Sequence, residues 1–346
     1  MSFDILIIWK AWLGSLNIEG DKMRIAIAGA GMSGAYLYRL LVNQGIDDID
    51  LYDQKKNTAC GSRPCAWGFA PASETRWLIA KVSDPSRFEL HRSDLISFDG
   101  VEIRSDVLTI NKPALIKELV GDKEVKEGPV DLTKYDRVVD ATGVNRSYLP
   151  PIKNDLIAAC NQYRVRSDDP LGFWFKTSSM GYEWCFPIGG NEYHVGFGNL
   201  VSDVKTYRPP KEINGHDLTL SLRCKCQSTV RMTSPFYSQP LVIDKKIVGI
   251  GESIGAVAPL AVDGNVYAMQ CGEMLLENWD DLDKYAETVL RRYDWMRKER
   301  KALEKLMAGK IPSIFDALTM KRHSRMVGVE MNTGHIFRIF RNMMKK

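Results

Sequence analysis

The stretch Met23 to Leu41, MRIAIAGAGMSGAYLYRLL, restricts the folds open to this chain more than any other. A nearly all-apolar run, Arg24 to Ala28, breaks at Gly29, Gly31 and Gly34 in GxGxxG spacing, and helical periodicity follows from Ser33 to Val42. A second apolar run, DIDLYD, closes the unit at Asp53. The first run predicts a strand buried on both faces, as parallel sheets require. Strand, turn, helix and strand ending on an acid predict a dinucleotide cradle. One glycine permits the tight turn, one lets backbone N–H groups reach a diphosphate, and one lets helix and strand close together. The helix N-terminus adds donors and partial positive charge, and Asp53 would accept the hydroxyls of an adenosine ribose. The alternative is a glycine-rich turn with a purely structural role.

At 346 residues the chain has room for two domains, and 45% apolar with 26% charged residues is an ordinary globular composition. Residues 57–72 read as loop, LISFDGVEI and SDVLTI as two short strands, Pro113 to Val120 as a helix, and VVDATG as a strand entering a turn. The runs GFWFKT, EWCFPI, YHVGFGNLV and KKIVGI predict an antiparallel sheet, and the pattern is helical after Gly264. The expectation is an α/β fold: a discontinuous Rossmann-type nucleotide-binding domain (23–150 and 240–283), an inserted antiparallel-sheet substrate domain (151–239), and a basic C-terminal helical region (284–346). Residues 1–22 are too short and too charged for a membrane span and lack the features of a signal peptide. They are expected to be an accessory or spurious extension outside the fold.

The segment KKIVGIGESIGAVAPLAVDGNVYAMQ brings a Gly-Glu pair, a loop with Pro259 and a helix opening near Gly264 back to the cradle late in the chain. A simple NAD-dependent dehydrogenase does not need this second contribution. A flavin does, because FAD must be held at both its adenine and its isoalloxazine ends, so FAD is the expected cofactor. No second GxGxxG offers a resident site for NAD(P)H, which leaves transient NAD(P)H or a ferredoxin-like donor as the electron source. The seven cysteines are scattered and no CxxC occurs, so neither a metal site nor a disulfide framework is expected and the setting reads as cytoplasmic. The five histidines are isolated, and His194 reads as structural.

Charge is uneven. From Lys284 onward 16 Lys and Arg face 6 Asp and Glu, so the tail carries +10 and the rest −6, for a net +4. Such a tail suits an anionic lipid surface, with a plain solvated face as the alternative; nucleic acid is not expected. In GHIFRIFRNMMKK a helix would gather Ile336, Phe337, Ile339, Phe340, Met343 and Met344 on one side. Either this helix docks the protein peripherally on the cytoplasmic face of a membrane, or it packs on the domain or on a second subunit.

Together the motifs resemble the geranylgeranyl reductases, including the archaeal digeranylgeranylglycerophospholipid reductases, within the flavoproteins of aromatic-hydroxylase-like fold. The most specific match is Tyr182-Glu-Trp184-Cys-Phe186-Pro187, followed after eight residues by Gly196-Phe-Gly198. RPCAWG places Cys65 and Gly68 in the family's Cys-x-x-Gly, with Cys60-Gly61 as a competing alignment. The resemblance implies FAD contacts at Gly29, Gly31, Gly34, Asp53, Cys65, Gly143, Gly251, Glu252, Pro259, Asp263 and Gly264. It implies an isoprenoid pocket at Tyr182, Trp184, Phe186, Pro187, Gly196 and Gly198, the aromatic rings forming its wall and the glycines leaving the groove open.

The sequence departs from the family at Glu252, Val262 and Asn265, and at Asn111-Lys112, where an arginine is usual. The implied reaction saturates isolated carbon–carbon double bonds of a polyprenyl lipid or polyprenyl diphosphate, with hydride from reduced flavin at one carbon and a proton at the other. Cys65 is either a proton donor or an inert buried thiol. The rival expectations are a flavin monooxygenase or halogenase of the same fold, and a flavin- or lipid-binding protein without catalysis.

Overall fold

The computed structural model describes residues 23–54, 65–178, 180–200, 211–213 and 216–344; the readings placed on residues 1–22 and on Cys60-Gly61 lie outside the described residues. The chain opens with β1 (Ile25–Ala28), α1 (Met32–Asn43) and β2 (Ile49–Tyr52), as the glycine pattern predicts. All four residues of β1 are buried, since the strand is paired in parallel on both edges and covered on both faces. Next come β3 (Gly68–Phe69), α2 (Ala72–Ala80), β4 (Glu89–Phe98), β5 (Val101–Ile110), α3 (Lys112–Val120), β6 (Val125–Lys126) and β7 (Arg137–Asp140). Four long strands follow, β8 (Ile157–Arg166), β9 (Trp174–Ser178), β10 (Gly181–Pro187) and β11 (Glu192–Asn199), then the short β12 (Glu212–Ile213) and β13 (His216–Asp217), and β14 (Thr219–Arg231). The chain returns through β15 (Val242–Ile243) and β16 (Ile247–Gly249) and ends in five helices: α4 (Asn265–Glu277), α5 (Leu282–Arg292), α6 (Asp294–Met307), α7 (Ile314–Ser324) and α8 (Thr333–Met343).

Two sheets dominate. The nucleotide-side sheet has the order β15-β16-β7-β1-β2-β6, parallel except for the β15–β16 hairpin. The larger sheet has the order β14-β8-β11-β10-β9-β4-β5-β3 and is antiparallel except where β4 meets β9. This corrects the expected boundaries. The large sheet is not a single insertion over 151–239, because β3, β4 and β5 join it from within 23–150. Nor are LISFDGVEI and SDVLTI separate strands. LISFDGVEI straddles the turn of one hairpin at Asp99-Gly100, both at positive φ (+50° and +77°), an Asp-Gly turn suited to the twist of paired strands, and SDVLTI continues its second arm. The first arm begins at Glu89, where the polar run ELHRS conceals it from any hydrophobic pattern.

Four contacts fix how the layers meet. Helix α1 packs on β1 so closely that a Cβ on Gly34 would lie 1.9 Å from the Gly29 carbonyl oxygen. On its other side, the Tyr36 hydroxyl lies 2.6 Å from Glu273 Oε1 of α4, whose Oε2 is 2.6 Å from Lys81 Nζ. Between the sheets, two buried arginines act as staples. Arg231, the last residue of β14, pairs with Asp155 (3.0 Å) and donates to the carbonyls of Gly143, Val144 and Glu252. Arg146 donates to the carbonyls of Pro150, Ser253, Ser238 and Pro240 at 2.6–2.9 Å.

The glycines of the first turn are therefore not equivalent. Gly34→Ala forces α1 away from β1 and is expected to cost about 2 kcal/mol or more, the scale of overpacking a close contact. At Gly31 a Cβ would meet nothing within 4 Å, so Gly31→Ala is expected to cost no more than about 1 kcal/mol. Urea unfolding of the two variants checks the contrast, and equal destabilisation would contradict it.

Candidate functional site

One cavity of about 380 Å³ lies between the sheets, and most of the sequence-predicted site residues converge on it. Its first compartment is walled by Gly29, Gly31, Met32, Ser33, Asp53, Thr142, Gly143 and Glu252. Here α1 begins at Gly31 with no side-chain cap, and space is open above that glycine. Open volume and uncapped helix N–H groups suit an anion such as a diphosphate. Asp53 Oδ2 accepts the Ala30 N–H (3.3 Å) and its Oδ1 that of Gln54 (2.8 Å), which holds the carboxylate at the end of β2. Asp140 is fully buried and structural: it takes the Thr142 and Tyr148 N–H groups and fixes the turn that presents Thr142 and Gly143.

A second helix, packed against α1, also opens onto the cavity. Helix α4 starts after Gly264, and Asp263 accepts the Asn265 N–H (3.1 Å). Burial pushes the Asp263 carboxyl up to about 6, against the pull of backbone donors and of Lys112. The loop before it is tight: Ala258 and Asp263 bridge, and Val262 sits at φ +53°, a left-handed conformation costly for a β-branched residue. The position keeps the backbone shape that glycine would favour, although its residue departs from glycine.

Between the two helix ends runs a short polar chain. Lys112 Nζ donates to Asn265 Oδ1 (2.8 Å), and Asn265 Nδ2 lies 2.8 Å from the Gly68 carbonyl and 3.6 Å from Cys65 Sγ. Cys65 Sγ also accepts the Trp67 N–H (3.4 Å). Lys112 and Asn265, two departures from the resembled family, are thus bonded to each other.

The remaining compartment is apolar. Tyr182, Trp184 and Phe186 project from one face of β10, and Ile96, Phe98 and Val107 of the hairpin line the same compartment. The Tyr182 hydroxyl donates to the Ala261 carbonyl (2.8 Å), tying the aromatic wall to the loop before α4. Met320 of α7 and Ile336, Ile339, Phe340 and Met343 of α8 close the far end.

Several expectations need correction. Gly196 and Gly198 do not hold a groove open: a Cβ on Gly196 would lie 2.2 Å from the Trp184 indole, so these glycines seat that ring across the strand pair. Pro187 ends β10, where its carbonyl accepts the Thr109 hydroxyl, and it does not line the cavity. Pro259 borders a smaller neighbouring void, and Gly34 and Gly251 act in packing, Gly251 at φ +64° against Ser33. The tail helix is not free to rest in headgroups on its apolar side. Ile336, Phe340 and Met343 are buried, Asn342 Nδ2 bonds Asp99 and Thr177 (both 3.1 Å), and the Met180 N–H donates to the Met343 carbonyl. His194 is fully buried against Trp67, as a structural histidine should be.

Other lining residues carried no recognisable motif. Gln162 bonds both Trp184 Nε1 (3.3 Å) and the Cys65 carbonyl (3.2 Å), and the neighbouring Cys160 thiol is pushed up to about 12 by burial. Glu299 reaches the cavity, accepts the Leu260 N–H and lies 3.7 Å from His323 Nδ1. Their strand and helix patterns read only as core.

No family model matches the chain. It is 25% identical over 340 aligned positions to an uncharacterized protein of Methanocaldococcus jannaschii, spanning 81% of this chain and 91% of that protein. A digeranylgeranylglycerophospholipid reductase of Picrophilus torridus is 27% identical over 150 positions, 37% of either chain. Among solved structures, a geranylgeranyl bacteriochlorophyll reductase-like protein of Thermoplasma acidophilum superposes with a TM-score of 0.63 at 14% identity, over 94% of this chain and 92% of that one. CmlS, a flavin-dependent halogenase, superposes with a TM-score of 0.60 at 15% identity, over 90% of this chain and 74% of that one. The fold is therefore that of this broad flavoprotein group.

The raised Asp263 carboxyl has a direct consequence for stability. Its folded value lies above the ordinary one of 3.8, so the folded state binds the proton more tightly. Stability should then fall as pH rises from about 4 to about 6 through this group. Asp263→Asn is expected to remove that part of the slope, as read from urea midpoints across the window; an unchanged profile would show that Asp263 is not its source.

Proposed function

We propose that the chain is an FAD-dependent reductase that saturates carbon–carbon double bonds of a polyprenyl chain. One observation carries the reading: a cavity that begins at two helix N-termini runs into an apolar arm walled by Tyr182, Trp184 and Phe186. The names of the Thermoplasma and Picrophilus relatives support it. Gly29, Gly31, Thr142 and Gly143 would hold the diphosphate, Asp53 the adenosine ribose, and Glu252, Asp263 and Gly264 the flavin end. A reduced flavin bound there supplies a hydride equivalent.

The protein's part is position, exclusion of water and a proton. An unactivated alkene has no carbonyl to take up charge, so the apolar arm must present its carbon against the polar chain and keep water out. The aromatic faces tolerate cationic character at the alkene. Cys65 Sγ, held by the Asn265 amide that Lys112 holds in turn, would supply the proton. NAD(P)H or a ferredoxin-like donor would renew the reducing equivalents. The substrate is a polyprenyl lipid or polyprenyl diphosphate, and the setting is lipid biosynthesis in the cytoplasm.

A second reading, oxygen-dependent chemistry, is favoured by the fold shared with the halogenase CmlS. One experiment separates the two. Protein purified with FAD, reduced without oxygen and mixed with a geranylgeranyl lipid is expected to reoxidise and yield product heavier by two hydrogens per bond. Reoxidation by oxygen alone, with no saturated product, would overturn the reductase reading. Gly31→Ala should fold normally yet bind FAD at least about tenfold more weakly, because its methyl fills the cradle. Cys65→Ser should keep its FAD and lose rate.

A further inference from the structure

Exposed large apolar side chains are not spread evenly over this protein. Of the twelve among the described residues, seven lie between 307 and 337: Met307, Ile311, Ile314, Phe315, Leu318, Met326 and Phe337. The sharpest concentration surrounds α7. Ile311 is 70% exposed, Ile314 51%, Phe315 76% and Leu318 49%, whereas Ala317 and Met320 of the same helix are buried. Helix α7 therefore has two apolar faces. One carries Met320 and Ser324 to the cavity wall, and the other turns Ile314, Phe315 and Leu318 to the outside. Contiguous exposed apolar surface of this kind marks a place of interaction.

The charges around it indicate the partner. Lys310, Lys321, Arg322 and Arg325 are exposed beside these residues and make no ion pair among the described residues. Two of the three acids beyond residue 301 are engaged: Asp316 pairs with Lys305 (2.7 Å) and caps α7 through Ser313, and Glu304 pairs with Arg300 (3.0 Å), while Glu330 is exposed. From residue 301 to the end, ten Lys and Arg face three Asp and Glu. A second copy of the chain meeting this face about a twofold axis would bring like cations together. An anionic bilayer accepts both the apolar ridge and its basic rim. No helix among the described residues is long and apolar enough to cross a membrane, so α7 would lie in the interface.

We propose that the outer face of α7, with Ile311 before it, seats the protein on an anionic lipid surface. This differs from docking by the tail helix, whose apolar side is used inside the molecule. Because α7 and α8 close the cavity behind this face, the apolar arm would lie close to the bilayer. That link to lipid uptake rests on the polyprenyl reading above; the docking itself does not.

The test is sedimentation of the full chain with vesicles of phosphatidylglycerol and phosphatidylcholine, set against phosphatidylcholine alone. Binding is expected to anionic vesicles at low salt, and about tenfold weaker to neutral vesicles or at high salt. The Ile314→Ser/Phe315→Ser/Leu318→Ser variant should lose at least about tenfold in binding with unchanged FAD content and melting temperature. Lys310→Glu/Lys321→Glu/Arg322→Glu should behave the same way, so the outcome does not depend on one variant folding. No binding of the wild-type chain to anionic vesicles, or binding unaltered in both variants, would overturn the proposal. So would light scattering that shows a dimer split by the serine variant with no change on vesicles. Reduction of a detergent-dispersed polyprenyl substrate, measured in parallel, keeps the two readings apart: its failure with vesicle binding intact removes only the substrate assignment.

Discussion

The structure depends on two guanidinium groups buried where its sheets meet. Arg231 leaves the last strand of the large sheet and reaches the carbonyls of Gly143, Val144 and Glu252, with Asp155 balancing its charge. Arg146 binds four more carbonyls, drawing Ser253 and the Ser238–Pro240 turn onto the same point. Burying charge is costly unless every donor is used. Here the guanidiniums extend beyond the β7–β16 pairing, where the Ile250 N–H and the Ser253 hydroxyl already bond the Asp140 carbonyl, and add the end of the large sheet and the Ser238–Pro240 turn to the same junction.

Once these loops are fixed, two helix N-termini reach the cavity. Each is preceded by a glycine N-cap that supplies no side-chain cap, and at α4 the Asp263 carboxylate holds the first N–H. An uncapped helix start is a local cost in an apoprotein and a ready donor set for an anion. The left-handed Val262 and the raised carboxyl of Asp263 lie at the second of these ends. Strain and a perturbed acid placed together beside a cavity are what a working site shows more often than a packing core does.

The C-terminal helices change character between sequence and structure. As a sequence, the last helix is an amphipathic segment with a basic rim, equally suited to a membrane or to a protein core. In the fold, its Ile336, Phe340 and Met343 complete the hydrophobic wall, and Asn342 anchors it to Asp99 and Thr177. The apolar surface left over belongs to α7, which the sequence gives no reason to prefer, because its hydrophobic residues point both ways.

By itself the sequence determined the β1–α1–β2 unit, since buried parallel strands and close helix–strand contact leave few residue choices at Ile25–Ala28, Gly29 and Gly34. It also determined that Tyr182, Trp184 and Phe186 share one face, because alternation in a strand is a local property. The hairpin at 89–110 was half legible: its Asp-Gly turn was present, but the polar first arm hid the strand. Only the tertiary structure decided that this hairpin joins the large sheet, that Gly196 makes room for the Trp184 ring, and that Lys112 meets Asn265 across 153 positions of sequence. Those outcomes depend on which surfaces meet after folding. Periodicity and spacing report how a segment presents itself, and they carry no record of the partner that covers it.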